Sequence, residues 1–315
     1  MNEARRLNEL FTEPVLDRWR KTKEPSNHLT FRSTMLDQRV PPPKGWSSEA
    51  IAVERATYCE RMEGYLQAAF AWGLLGTPES ADLTARLRGI DDRNFLSAYA
   101  ECLAAWFLGT RLGLRLAPRP SGRRGRPLEL AILDSRGRIH VEVKAPRRET
   151  IAYSLEEVRA GAIMADRVND APTIASRVNE ARKQLATDTP NLVFLASHLT
   201  LQVDFELRSE LTKALFGEVV LVAQRSLETG EVGPFERTCN ADGLFLRHLS
   251  SGGRAQSTRV SGVLCVEESR DVAAGPFDVI AYLVHNPYAT MRLPSDVWAD
   301  VPQLDLQGDA LIWSD

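Results

Sequence analysis

The chain has few of the residues that build metal–sulfur centres and disulfide frameworks. Only four cysteines occur in 315 residues, widely separated and without a C-x-x-C pair, so neither a zinc site nor a disulfide scaffold is indicated. The five histidines show no ligand spacing such as H-E-x-x-H, and no G-x-x-x-x-G-K-[ST] loop is present to cradle a nucleotide phosphate. The pattern therefore argues against a zinc enzyme and against an ATPase.

Long apolar runs are missing as well. No stretch approaches the length of a membrane span, and the N-terminus lacks the pattern of a secretory signal peptide. With 43% hydrophobic and 26% charged residues, the composition is that of a globular chain with a sizeable core, and a net charge of -3 excludes a polycation. We expect a soluble, cytoplasmic protein that has no membrane partner.

A β-hairpin is predicted between Pro127 and Pro146. The apolar run from Leu128 to Leu133 has the character of a buried strand, and the turn-forming residues 134–137 follow it. A second short strand, rich in β-branched residues, runs from Ile139 to Val143. Two strands therefore meet across a tight turn at this point of the chain.

The register of this hairpin brings acidic side chains together. When the turn closes tightly, Leu133 pairs with Arg138, and counting outward places Glu129 opposite Glu142, with Lys144 on the same face. Opposed carboxylates destabilise a strand pair, so they need a proton, a cation or a metal ion. Mg²⁺ accepts carboxylate oxygens and leaves positions for water and phosphate, and a lysine beside it can orient the attacking water. This is the chemistry of phosphodiester hydrolysis.

The order of these features resembles the PD-(D/E)XK nuclease superfamily, which includes many restriction enzymes and Holliday-junction resolvases. The Glu-x-Lys triplet from Glu142 to Lys144 ends a strand and is preceded by a strand with an acid and by a helix with Glu101. The resemblance covers roughly residues 91 to 225. It implies that Glu129 and Glu142, together with Glu101, bind Mg²⁺ or Mn²⁺, and that Lys144 is the lysine of the active site.

One position departs from the family pattern. The family usually has aspartate directly after the proline that precedes the hairpin, and this chain has Leu128 there. The facing geometry assigns the ligand role to Glu129 instead. Asp134, at the turn, is the weaker substitute.

The segment after the hairpin also fits the resemblance. An amphipathic helix is predicted from Thr173 to Ala186, followed by a strand from Asn191 to Ala196, in the order that the family shows. Gln184, in a Lys-Gln-Leu context, is similar to a glutamine near the active site in some branches, and it is a secondary catalytic candidate. His140 shares the acidic face by parity and is a candidate donor to the carboxylates, although a packed or surface histidine is the simpler interpretation.

Arginines cluster beside the predicted metal site. Six of them fall between positions 111 and 126 in a Gly- and Pro-rich setting that predicts an irregular loop. Arginine binds phosphate oxygens through two parallel hydrogen bonds, so this loop is a candidate nucleic-acid contact, and a solvated loop is the alternative. The candidate contacts are Arg119, Arg123, Arg124, Arg126, Arg147 and Arg148.

The remaining patterns predict an α/β fold with a central mixed sheet flanked by helices and with an N-terminal helical extension. The expected domains are an N-terminal arm and helical region at 1–90 and a nuclease-like domain at 91–315. Helices are predicted at 3–21, 48–75, 78–87, 91–109 and 207–216. Further strands are predicted up to Val203 and at 219–223, 260–266 and 279–284, before an irregular C-terminus.

The sequence supports three hypotheses for function. The first is a Mg²⁺-dependent endonuclease acting on DNA in restriction or phage defence, with a partner subunit or a second copy of the chain as a further interaction. The second is a nuclease fold whose ligands have decayed and which binds nucleic acid or organises an assembly, for which Leu128 is the favouring feature. The third is an RNA-directed or structure-specific nuclease, for which the same metal site would serve.

Overall fold

The computed structural model is an α/β protein with an eight-stranded mixed sheet flanked by helices. It describes residues 5–41, 47–120, 122–123, 128–146, 171–197, 207–223, 229–230, 232–233, 236–247, 254–255, 257–268, 275–307 and 310–314. The helices are α1 (Arg5–Leu10), α2 (Glu13–Arg20), α3 (Asn27–Leu36), α4 (Ser48–Ala71), α5 (Ala81–Arg88), α6 (Asp92–Ala105), α7 (Ala171–Ala181) and α8 (Leu207–Phe216). The strands are β1 (Arg115–Pro118), β2 (Leu130–Asp134), β3 (Gly137–Lys144), β4 (Asn191–Ser197), β5 (Gly217–Val222), β6 (Glu236–Asp242), β7 (Leu246–Arg247), β8 (Arg254–Ala255), β9 (Gly262–Glu268), β10 (Val279–His285), β11 (Gln303–Gln307) and β12 (Ala310–Ser314). Among the helices that it describes, none is both long and apolar enough to cross a membrane.

The main sheet has the strand order β1-β2-β3-β4-β9-β10-β11-β12. β3, β4 and β9 run parallel to one another at its centre, while β1, β2 and β10 join by antiparallel pairing. Every residue of β9 is buried, as expected for a central parallel strand that is covered on both faces. The predicted mixed sheet flanked by helices is therefore confirmed.

Two helical layers cover the two faces of this sheet. Leu130 and Val141 belong to a hydrophobic cluster that also contains buried residues of α4 and α6. Val193 and Val263 face the other way and pack in a cluster with residues of α7 and α8. The first cluster extends from Leu7 in α1 to Val301, so N-terminal helices and sheet share buried surface; the predicted boundary at residue 90 stays a prediction.

A buried carboxylate joins the N-terminal layer to the end of β9. Glu268 accepts hydrogen bonds from the hydroxyl groups of Tyr65 in α4, at 3.0 Å, and Tyr99 in α6, at 2.6 Å. The guanidinium of Arg61 lies 3.6 Å from the same carboxylate. Burial raises the pKa of Glu268, and Arg61 and the two tyrosines oppose that rise. The network ties α4 and α6 to the sheet.

Two of the helices begin at a side chain that caps their first turn. The side chain of Ser47 accepts a hydrogen bond from Ala50 N at the start of α4, and that of Asp91 accepts one from Asn94 N at the start of α6. The helix predicted at 91–109 is α6 followed by a π-helical segment at Trp106–Arg111. The helix predicted at 207–216 is confirmed as α8.

Other predicted elements are wrong. The single helix at 3–21 is split into α1 and α2, because Thr12 is extended and Pro14, in the first turn of α2, has no N–H to continue a longer helix. The irregular C-terminus contains β11 and β12, and α3 was not predicted. The arginine-rich loop begins later than predicted, because residues 115–118 form β1 and pair with β2. The strand predicted up to Val203 has its later residues outside the described ranges.

Candidate active site

The hairpin of β2 and β3 brings two carboxyl groups into contact. Leu133 pairs with Arg138, as the turn residues predict, and the ladder continues to Leu130. Glu129 comes next along the chain, and its carboxyl group is within hydrogen-bonding contact of the carboxyl group of Glu142. Because two carboxylates repel each other, this contact requires a shared proton or a cation.

The carboxyl group of Glu142 is held by two donors. Its Oε1 accepts hydrogen bonds from Nζ of Lys144, two residues further along β3, and from Nε2 of Gln184, in the turn directly after α7. Glu142 is completely buried, and its Oε2 has no donor among the residues that the structure describes. The carboxyl group of Glu129 is held by the backbone of β3, since its Oε2 accepts a hydrogen bond of 3.1 Å from Val143 N.

The electrostatics of the pair follow from this crowding. Burial raises the pKa of Glu129 to about 8, and the charge of Glu142 and the contact with it act in the same direction. Burial lowers the pKa of Lys144, but the two carboxylates outweigh burial, so the pKa of Lys144 is raised. At neutral pH the amine is therefore an ammonium ion that balances charge at the pair, and the two interacting carboxyl groups hold a proton.

Glu101, on α6, is close enough to Glu129 for their charges to interact. Its Oε1 accepts a hydrogen bond of 2.7 Å from Nη1 of Arg86 in α5, and its side chain is 8% exposed. Burial raises the pKa of Glu101 to about 7; Arg86 opposes that shift, and the nearby Glu129 adds to it. Glu129 thus interacts both with Glu142 and with Glu101.

The structure therefore brings together four of the five catalytic candidates, namely Glu129, Glu142, Lys144 and Gln184, while the fifth, Glu101, interacts with Glu129 only through its charge. Two alternatives lie elsewhere. Asp134 is at the hairpin turn, at the far end of β2 from Glu129, and its carboxylate pairs with Arg136 at 2.9 Å. His140 is buried, burial and Arg138 lower its pKa, and it has no hydrogen bond to the acidic pair within the described ranges.

The sequence alone did not predict the environment of Leu128 or the contact that Arg86 makes with Glu101. Leu128 is 2% exposed and packs in the cluster of α7 and α8, so the residue in place of the family's aspartate is part of the hydrophobic core. Arg86 was not predicted to lie at the site, because it belongs to a different helix from Glu101 and only tertiary packing brings the two together. No local motif marks such a residue.

The arginine-rich loop is attached to the site by backbone hydrogen bonds. Arg119 N donates to Glu129 O at 3.0 Å, and Arg123 N donates to Gln184 O at 2.7 Å. The guanidinium of Arg119 bonds to the carbonyl oxygen of Glu79, and its charge also reaches Glu101. The other predicted nucleic-acid contacts, Arg124, Arg126, Arg147 and Arg148, lie outside the described residues.

The donor set fits a hard divalent cation. No group of three or more His, Cys, Asp or Glu side chains in the described ranges is arranged to hold a metal ion by itself. Mg²⁺, however, is commonly held by only one or two protein carboxylates, with waters and substrate phosphate in the other positions. The buried Oε2 of Glu142 without a donor, and the contact with Glu129, are the features that a cation would satisfy.

Comparisons of the chain with protein-family models, with curated proteins and with solved structures find no match. The resemblance to PD-(D/E)XK nucleases consequently depends on this chain's own residues. Its basis is the order of helix, hairpin, helix and strand, and the convergence of Glu129, Glu142 and Lys144.

Proposed function

We propose that the chain is a Mg²⁺-dependent endonuclease that hydrolyses phosphodiester bonds of DNA, with a restriction-endonuclease-like core. The observation that carries the proposal is the contact between the carboxyl groups of Glu129 and Glu142, with the ammonium of Lys144 on the second of them. The placement of α6 before the hairpin, and of α7 and β4 after it, also supports the proposal. Restriction or phage defence is the setting that we propose for this activity.

Glu129 and Glu142 would hold the cation. Glu101, whose charge interacts with that of Glu129, is proposed as an additional contributor. When bound, Mg²⁺ would act as a Lewis acid on the phosphate and make a water molecule more acidic. The proton on Glu129 would have to leave before the cation binds, because a metal ligand must be deprotonated. Cation binding by this chain is therefore expected to release a proton.

Lys144 and Gln184 both donate to the carboxylate of Glu142, and each would have its own role in the reaction. The ammonium of Lys144 is fixed on Glu142, partly exposed, and suited to orient the attacking water or to offset negative charge on the phosphate. The amide of Gln184 holds the same carboxylate oxygen and restricts its rotation. Preorganised donors of this kind need little rearrangement during the reaction.

Binding of DNA would rely on local positive charge. The overall charge of -3 gives no general attraction for a polyanion, so the loop that contains Arg119 and Arg123 is the proposed contact with the phosphate backbone. Its backbone hydrogen bonds to Glu129 and Gln184 keep it next to the carboxylates.

A nuclease fold with decayed ligands is the second candidate. The observation in its favour is Leu128, which fills core space where the family usually has aspartate. In that case the carboxyl pair would remain as a hydrogen-bonded remnant that shares a proton. Such a chain would bind nucleic acid or join an assembly without hydrolysing DNA.

A cleavage assay on the 315-residue chain tests the proposal. Supercoiled plasmid, linear duplex DNA and single-stranded RNA are incubated with the chain in Mg²⁺, in Mn²⁺ or in EDTA. We expect cleavage of the DNA substrates with either cation and none in EDTA. Binding of DNA without cleavage, unaffected by Lys144→Ala, would instead support the decayed fold, and cleavage of RNA alone would support an RNA-directed nuclease.

A further inference from the structure

Two exposed arginines lie in one row across the strands that carry the candidate active site. Arg115 of β1 pairs with Leu133 of β2, and Leu133 pairs in turn with Arg138 of β3. Side chains that are directly opposite one another on neighbouring strands point to the same face of the sheet. These three residues therefore form a row, which we call the arginine row. Neighbouring strands are about 4.8 Å apart, so the Cα atoms of the two arginines are separated by about 10 Å.

The arginine row lies on the same face as the carboxyl pair. Arg138 and Glu142 are four residues apart in β3, so their side chains leave the same face of the strand. At about 3.3 Å for each residue, the separation along the strand is about 13 Å. The position between them on this face is His140, so β3 has no acid between the two. Asp188, in the segment between α7 and β4, is an acid whose charge reaches His140.

The guanidinium groups of the arginine row are open to a ligand. Arg115 and Arg138 are both exposed, and within the ranges that the structure describes neither guanidinium makes an ion pair or a hydrogen bond. Arg136, in the turn of the same hairpin, differs from them. Its guanidinium pairs with Asp134 at 2.9 Å and with Asp296 at 2.7 Å. The charge of the arginine row is thus available to an anion, whereas that of Arg136 is already balanced.

We propose that the arginine row binds the phosphate backbone of duplex DNA, about 13 Å from the phosphate that is cleaved at the carboxyl pair. Arginine donates two parallel hydrogen bonds to a phosphate group. The phosphates of one strand follow one another about every 3.4 Å along the helix axis, so the contact would lie about four base pairs from the cut. This inference rests on the proposed function and adds to it a path for the DNA across the face of β1, β2 and β3.

The test is the affinity of the full chain for a fluorescein-labelled DNA duplex, measured by fluorescence anisotropy in EDTA at several concentrations of NaCl. We expect Arg115→Gln and Arg138→Gln each to bind about tenfold more weakly, as is typical when a hydrogen bond to a charged group is lost. The slope of the logarithm of the binding constant against the logarithm of the salt concentration should become shallower by about 0.9 for each arginine removed. Duplexes of unrelated sequence should show the same losses, because phosphate contacts carry no sequence information. Arg138→Lys, which keeps the charge, should restore the slope.

Arg136→Gln is the matched control, because Arg136 is an exposed arginine of the same hairpin whose guanidinium already pairs with two carboxylates. It should leave the slope unchanged. Kinetics of cleavage in Mg²⁺ give a second readout. The variant that combines Arg115→Gln and Arg138→Gln should raise KM by about a hundredfold and leave kcat unchanged, since the arginine row is too far from the reacting phosphate to act on it.

Three results would overturn the arginine row: wild-type affinity in the combined variant, weaker binding with an unchanged slope, or the same change of slope in Arg136→Gln. The outcome is separable from that of the proposed function. A chain that cuts DNA while the combined variant keeps wild-type affinity loses only the arginine row. A chain whose variants show the expected slopes but which cuts no DNA keeps the arginine row and loses the nuclease, and a wild type that binds no duplex loses both.

Discussion

The Glu142→Gln variant is expected to cleave DNA about a thousandfold more slowly than the wild-type chain, because metal-assisted stabilisation is worth several kcal/mol and about 4 kcal/mol corresponds to that factor. Oε1 of Glu142 accepts hydrogen bonds from Lys144 and Gln184, and the carboxyl group contacts that of Glu129. Glutamine keeps the shape of the side chain but removes the charge that would hold the cation and the ammonium. The measurement is the initial rate of plasmid cleavage in Mg²⁺.

Glu268→Gln is the matched control for this variant. Glu268 is also a buried glutamate on a central strand of the same sheet, but its hydrogen bonds come from Tyr65 and Tyr99. A folded Glu268→Gln variant should cleave at the wild-type rate. Wild-type cleavage by Glu142→Gln, with its fold confirmed by circular dichroism, would remove Glu142 from the reaction and with it the hydrolytic account.

The Glu129→Gln variant is expected to change how stability depends on pH in the absence of divalent cations. The pKa of Glu129 rises from an ordinary value of 4.5 to about 8 in the folded chain, because of burial and the charge of Glu142. Between these two values the folded state binds a proton that the unfolded state has lost, so the free energy of unfolding falls as the pH rises from 4.5 to about 8. Glutamine cannot ionise, so the variant should lose less stability over this interval.

Thermal unfolding in EDTA at a series of pH values makes this measurement. Glutamine can still accept the hydrogen bond from Val143 N and can donate to Glu142, so the packing of the hairpin should persist in the variant. A residual slope is expected from Glu101, whose pKa is raised to about 7. Equal slopes for the wild type and the variant would mean that Glu129 does not hold the proton.

The hairpin was predictable because its determinants are local. Four turn-forming residues fixed the register, and once Leu133 pairs with Arg138 the period of two along each strand determines which side chains share a face. Lys144 follows from the same parity, and its ion pair with Glu142 agrees with it. The proximity of these side chains therefore needed only the sequence of about twenty residues and the geometry of a strand pair.

The misassigned elements depend on interactions that are distant in the sequence. β11 forms by pairing in parallel with β10, and β12 pairs in turn with β11. No turn motif in the sequence predicts the parallel pairing. β1 begins with Arg115 and ends with Pro118, in a segment that is rich in arginine and proline, so composition predicted a loop. Pairing with β2 overrides that weak preference. Arg86 and Glu101 are neighbours only because α5 packs on α6.

The most direct test of the central claim is the number of protons released when Mn²⁺ binds at pH 7, measured by calorimetry in two buffers of different ionisation enthalpy. Glu129 has a pKa of about 8 and must lose its proton to act as a ligand, so the wild-type chain is expected to release about one proton for each Mn²⁺ bound. The Glu129→Gln variant should bind more weakly and release clearly less. Equal affinity and equal proton release in the two proteins, or no saturable binding by the wild type, would contradict a cation shared by Glu129 and Glu142.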